Sequence, residues 1–200
     1  MFLVEAGAEG LVIGKKEKKM GQQASATNEI LFQNCRVPKS ALMGNLNDGF
    51  RVAVTELAGG RIGIGSLALG IGLAAMDAAT RYSLERRQFG KKISEFQAIQ
   101  WKIADNYTAL EASRLLLMNA AYKKEQGRAF SKAASMAKVF ATEAANDACY
   151  EAMQIFGGYG YTSDFPIERY SRDVRITTIY EGTSEVQRLI ISREILNDFS

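Results

Sequence analysis

Histidine is missing altogether from the 200 residues. Its absence excludes Ser-His-Asp and Cys-His catalysis, imidazole-held metals and imidazole proton shuttles. Proton chemistry therefore falls to Asp, Glu, Lys, Tyr or Cys. Cysteine is scarce: Cys35 and Cys149 lie far apart and form no CxxC pair. That argues against a disulfide framework and a zinc site, and for a reducing compartment. Proline occurs twice, at Pro38 and Pro166, leaving room for long uninterrupted helices. No long hydrophobic run is present either. The longest uncharged stretch, 62–76, has fifteen residues with four glycines, short of the ~20 that cross a bilayer. Met1 opens no basic-then-apolar leader, so the chain reads as soluble, with no membrane partner. A net charge of +3 is too mild to imply nucleic acid, and the basic residues are interspersed with acids, as in Lys123-Lys124-Glu125.

What is there is globular: 47 % apolar and 24 % charged residues are ordinary for a folded domain. The hydrophobic period changes along the chain. Residues 1–46 hold short apolar runs, Phe2-Leu3-Val4, Leu11-Val12-Ile13 and Asn28 to Val37, broken by Gly, Asn and Pro. They predict two to four antiparallel strands, too little sheet to stand alone. The Lys15–Lys19 run reads as a solvated turn between strands. From Asp48 the period is 3.6. A helical stretch to about Gln88, with a bend at Gly59-Gly60, precedes a second from the S-x-x-Q box Ser94–Gln97 to about Gln126. Its core stripe is Ile99, Ile103, Tyr107, Leu110, Arg114, Leu117 and Ala121. A third helix spans Ser131–Phe156 and stops at Gly157-Gly158. A short helix follows Pro166, and a last one, boxed by Ser184-x-x-Gln187, runs to about Asn197. The expected fold class is mainly α, an up-down four-helix bundle over 47–200, preceded by antiparallel strands over 1–46.

Glycines 59, 60, 63, 65, 70 and 72 cost about 1 kcal/mol each in a helix and make sense where a helix or ligand comes close. Gly63-Ile64-Gly65-Ser66-Leu67-Ala68 has the G-x-G-x-x-A form of a dinucleotide fingerprint, but it lacks the preceding strand that the motif needs. It reads as helix packing. Three other segments leave two readings open. Arg86-Arg87-Gln88-Phe89-Gly90 offers either last-turn cations or an arginine fork for phosphate. Gln154-Ile155-Phe156-Gly157-Gly158 is either a plain stop or a bare-backbone cradle for an anion. Glu181, before the last helix, is either a cap or a desolvated general base.

Those three segments, in this order and spacing, resemble the acyl-CoA dehydrogenase family. They are R-x-x-F-G at Arg86, Q-x-F-G-G at Gln154, and Tyr180-Glu181-Gly182-Thr183-Ser184-Glu185 with its flanks. Met20-Gly21-Gln22 and Val37-Pro38 look like the end of that family's middle β domain, which makes residues 1–46 the remnant of a truncated β domain and the chain a C-terminal half. The resemblance implies FAD-dependent α,β-dehydrogenation of an acyl-CoA, with Glu181 as the base. It implies FAD contacts from Arg86, Gln88, Phe89, Phe96, Gln97, Gln154, Ile155, Phe156, Gly157 and Gly158, and others from Thr183, Ser184 and Glu185. Arg61, Tyr180 and Gly182 would meet substrate, and no metal is implied. Sites shared between chains imply a homodimer or homotetramer, and an electron-transfer flavoprotein is the expected acceptor. Some relatives carry the base immediately before the Arg61 position. Here that residue is Gly60, which favours the short- or medium-chain type; Glu56 is one turn earlier. The location would be cytoplasmic in a bacterium and the mitochondrial matrix in a eukaryote. The alternative reading is a non-catalytic helical oligomerisation module without flavin.

Overall fold

A computed structural model describes residues 1–200, which divide into two compact units, Met1–Leu57 and Ala58–Ser200. In the first, β1 (Leu11–Lys16) pairs antiparallel with β2 (Asn28–Phe32), setting Leu11, Val12 and Ile13 opposite Phe32, Leu31 and Ile30. The second strand is shorter than its composition suggests because Asn34 turns into the left-handed region, with φ +53°. Lys15 and Lys16 belong to β1 rather than to the turn. A further bridge joins Phe2 to Leu42, so the Phe2-Leu3-Val4 run pairs without becoming a strand. No residue of β1 or β2 is buried.

Helix α1 (Gly49–Glu85) runs through Gly59-Gly60 without interruption. By length and hydropathy it is apolar enough to cross a membrane, which the count of uncharged residues does not reveal. Its Gly65, Ala68, Leu69, Gly72, Ala75, Met76 and Ala79 are buried in the helical unit. A tight hairpin follows, β3 (Arg87–Gln88) against β4 (Lys91–Lys92). Then come α2 (Gln97–Glu125), α3 (Ser131–Phe156), α4 (Ile167–Val174) and α5 (Ser184–Asn197).

Cross-helix contacts set the up-down order. Gly65 faces Leu117 and Gly72 faces Leu110, so α2 runs against α1. The same two glycines face Lys138 and Ala145, so α3 runs with α1. Lys102–Glu151 joins α2 to α3, and Arg188–Glu143 joins α5 to α3. The core of α3 is a stripe of small residues, Ala134, Ala137, Ala141, Ala145, Ala148 and Ala152, all fully buried. Small residues let helix axes approach closely, since interaxial distance follows the side chains at the contact. Gly63 and Gly70 meet nothing within 4 Å, so packing explains Gly65 and Gly72 but not these two. The G-x-G-x-x-A segment lies wholly within α1.

Three local expectations change. The Ser94–Gln97 segment is not a capping box: the turn before α2 is closed by Lys92 N–H donating to Glu95 at 2.9 Å, and Phe96 is the N-cap. The cap of α5 is Thr183, whose hydroxyl accepts from Val186 N–H at 3.3 Å, because Ser184 already lies inside the helix. The fully buried stripe of α2 is Asn106, Leu110, Ser113, Leu117 and Ala120, and Ile99, Ile103 and Tyr107 pack against the core as the period predicts. Arg114 points out and pairs with Glu111, and Ala121 is exposed. Asn106 and Ser113 tolerate burial by bonding the carbonyls of Lys102 and Ala109, which satisfies their polar atoms within their own helix.

Candidate active site

Between α4 and α5 the chain passes through Glu181 at φ +55° and Gly182 at φ +91°. A non-glycine residue held there costs roughly 1–2 kcal/mol, so other contacts must impose the turn. Two wholly buried side chains do so. Lys138 Nζ of α3 donates to the Gly182 carbonyl at 2.8 Å, and Gln187 Nε2 of α5 donates to the same oxygen at 2.9 Å. Gln187 also reaches the Glu181 carbonyl at 3.3 Å. Its side chain therefore holds the turn, rather than reaching back to Ser184 as a box would.

The Glu181 carboxylate lies against the backbone of α1 at Gly60. A β-carbon there would overlap Oε2 and sit 2.9 Å from Cδ. Residue 60 must therefore be glycine for the carboxylate to occupy this place. Arg61, the next residue, is 6 % exposed and donates from Nη1 to Ser135 Oγ at 3.2 Å. Burial lowers the Arg61 pKa, and the Glu181 charge opposes that shift. Burial also brings Lys138 down to about 8, again opposed by Glu181. The charge of one carboxylate thus acts on two buried cations. The buried atoms Arg61 Nε, Ser184 Oγ and Gln187 Oε1 lack hydrogen-bond partners, and all three belong to this region. Since Thr183 caps α5, Glu181 is not needed as its cap.

At the end of α3 a cleft of about 450 Å³ is lined by Arg86, Gln88, Ile155, Phe156, Gly157 and Gly158, together with Tyr82, Ile93, Tyr159 and Thr162. Six residues singled out in the sequence, from two distant segments, thus meet. Phe156 stacks on Tyr82 with centroids 4.2 Å apart, and the Arg86 guanidinium lies 5.6 Å over the Tyr159 ring. Gly157 and Gly158 are exposed, and a side chain on either would meet nothing within 4 Å. They present open backbone, as an anion cradle requires. Phe89, 90 % exposed, and Gly90 form the hairpin tip, both with positive φ, as a two-residue I′ turn demands. Phe89 meets Phe96 edge-on at 6.2 Å. Gln97 is exposed at the start of α2, and Gln154 is exposed, with its amide donating to Tyr150; neither lines this cleft.

Thr183, Ser184 and Glu185 line a separate cleft of about 500 Å³ with Glu143, Asn146, Asp147, Arg175, Thr178 and Ile179. It opens about ten residues, ~15 Å, back along α3. Tyr180 is half-buried in the joint itself. Sequence reasoning passed over Lys138, Ser135, Tyr159, Asn146 and Arg175. Only Lys138 left a trace, as a lysine between Ala137 and Val139 in an alanine-rich stripe.

Comparison with known proteins bears on these residues. The family profile described as acyl-CoA dehydrogenase, C-terminal domain, matches residues 47–196. The chain is 49 % identical over 195 residues to the 3-(aryl)acrylate reductase of Clostridium sporogenes, covering 98 % of this chain and 52 % of that protein. It is 48 % identical over 198 residues to the short-chain specific acyl-CoA dehydrogenase, mitochondrial, of Rattus norvegicus, covering 99 % and 48 %. The solved structure of butyryl-CoA dehydrogenase from Megasphaera elsdenii matches with a TM-score of 0.96 at 45 % identity, over 98 % of this chain and 51 % of that one. The chain spans about half the length of the relatives it matches.

Proposed function

Because the chain belongs to the acyl-CoA dehydrogenase family, we propose that the protein carries out FAD-dependent α,β-dehydrogenation of a short- to medium-chain acyl-CoA, with Glu181 as the base. The observation that carries this reading is the Glu181 carboxylate itself, lodged over a glycine that leaves it room, with its charge acting on the buried Arg61 and Lys138. Residues 1–46 are read as the end of the family's middle β domain and 47–200 as its helical domain.

Glu181 accepts the proton from the α carbon as the β carbon loses a hydride, so the two C–H electron pairs leave one C=C bond and a reduced acceptor. Bound FAD supplies that two-electron acceptor. Negative charge gathers on the thioester oxygen as the α proton leaves, and the Glu181 backbone N–H is a donor the chain offers there. Arg61 presents its buried guanidinium, with Nε unpartnered, to the polar part of the substrate. Tyr180 and Gly182 flank the base and complete the acyl side.

The residues present suit a flavin. Exposed Gly157 and Gly158 with Arg86 and Gln88 offer a diphosphate open backbone, a guanidinium and an amide. Ile155 and Phe156 form the buried floor beneath them. Phe89, Phe96, Gln97 and Gln154 extend that surface for an aromatic base. Thr183, Ser184 and Glu185 line a different cleft, which supports two flavins, each shared between protomers of a homodimer or a tetramer. An electron-transfer flavoprotein is the proposed acceptor.

The test is Glu181→Gln in the flavin-loaded protein, followed by bleaching of the flavin band with butyryl-CoA. Turnover is expected to fall by roughly 10²–10⁴; a rate near wild type overturns the assignment. The relative from Clostridium sporogenes, named as a reductase, supports a second reading in which the same carboxyl, protonated, returns its proton to the α carbon of an unsaturated substrate. Faster turnover with a reduced donor and an enoyl substrate than in the oxidative assay would favour it.

A further inference from the structure

Resting on the reading of Glu181 as the base, we propose that Lys138 and Gln187 are its positioning residues, holding the Glu181–Gly182 turn by one carbonyl. Neither side chain is exposed, and both end on the Gly182 oxygen, at 2.8 and 2.9 Å. They come from different elements, so the turn is held both by the start of the helix that follows it, α5, and by a lysine 44 positions away on α3. A carbonyl has two lone pairs, and here both have donors. The clamp accounts for a left-handed Glu181, an arrangement that persists only where the surroundings over-determine it.

A buried lysine is a costly way to satisfy one carbonyl, because its ammonium loses its hydration. Burial indeed depresses Lys138 to about 8. A purely structural contact is served as well by a neutral donor, as Gln187 demonstrates on the same oxygen. The lysine adds a positive charge one residue from Glu181, at the Gly182 carbonyl, and Glu181 is the largest favourable influence on that charge. Lys138 therefore acts on Glu181 twice, through the backbone of the turn and through its field. It touches no reacting atom in this scheme and acts only through the base.

The test uses the complete flavin-loaded protein and Lys138→Met, which keeps the length and removes the donor. The turnover number is expected to fall by about tenfold or more, since small misplacements of a catalytic group carry costs of that size. The Kd for a non-reacting thioether analogue of acyl-CoA should stay within about threefold, as uniform binding is untouched. Amide hydrogen exchange should rise across 179–187 and stay unchanged across 140–156, reporting a local opening. In the Glu181→Gln background Lys138→Met should change the residual rate less than about twofold, the non-additivity of residues that act through one group. Three results overturn the proposal: turnover within about threefold of wild type, the same rate loss with and without Glu181, or exchange that rises throughout α3. If Lys138→Met does not load flavin, Gln187→Leu releases the same carbonyl and carries the same test. Failure of both variants to fold assigns the pair a structural role and ends the proposal. An active Glu181→Gln would remove the base itself, whereas an inactive Glu181→Gln beside a normal Lys138→Met removes only the clamp.

Discussion

The joint at Glu181 and the loop after α3 both depend on glycine, for opposite reasons. At the joint, Gly60 is required because the Glu181 carboxylate fills the space a side chain would need. In the loop, Gly157 and Gly158 have nothing within 4 Å of where a side chain would start. One region is closed, with Lys138 and Gln187 wholly buried behind it; the other is an open rim of backbone. Glycine therefore marks two separate things in this protein, the absence of room and the presentation of bare amides, and composition alone does not distinguish them.

The comparison breaks first at Gly60. Gly60→Ala displaces the carboxylate, and turnover should fall about 10²-fold, the scale of an ångström-sized misplacement, while flavin content measured by absorbance stays near wild type. Loss of flavin together with activity would show that the joint is not separable from the fold. Gly72→Ala sharpens the same contrast in the core. Its β-carbon would lie 2.8 Å from Leu110 Cδ2 and 3.1 Å from Ala145 Cα, and overpacking of this kind costs roughly 1–3 kcal/mol. That corresponds to a Tm lower by several degrees in a protein of this size, at roughly 2–4 °C per kcal/mol. Gly158→Ala is the opposite case, with the melting temperature expected within about 2 °C of wild type and the affinity for FAD, measured by fluorescence titration, reduced several-fold. A large drop in Tm would refute the picture of an open loop.

The smallest expected effect is on pH dependence. The native fold holds Lys138 at about 8, against the ordinary 10.5 of a lysine. Between those values the unfolded chain binds the proton and the native chain does not, so this group's contribution to stability rises with pH. The Tm of Lys138→Met should therefore fall relative to that of wild type between pH 7.5 and 10, the other titrating groups cancelling in the subtraction. Glu181, Arg61, Glu143 and Glu185 are the charged groups acting on Lys138, and all remain in the variant. A difference that stays constant, or moves in the variant's favour, would mean that Lys138 is not desolvated.

Much of the helical unit was legible before any coordinates. The bounds of α3, Ser131–Phe156, follow from an apolar period closed by Gly157-Gly158, and α5 ends at Asn197 as its pattern indicates. Local chemistry sufficed there, since period and stop signals act within a few residues. The α2 period holds at Ile99, Ile103, Tyr107, Leu110 and Leu117 and departs at Arg114 and Ala121, whereas the burial of Asn106 and Ser113 is hidden in the sequence because each polar side chain satisfies itself on its own helix. Arg86 and Gly157 could each be flagged alone, but their meeting in one cleft depends on how α1 and α3 end beside each other.

By itself the amino-acid order determined which stretches are helical, where they stop, and that proton chemistry here excludes imidazole. Only the tertiary structure decided that Glu181 lies over Gly60, that Thr183 rather than Ser184 caps α5, and that Lys138 is buried against a carbonyl 44 positions away. The physical reason is range. Helical period and capping are settled among neighbours, whereas a buried lysine or a required glycine is defined by atoms that another helix brings to it.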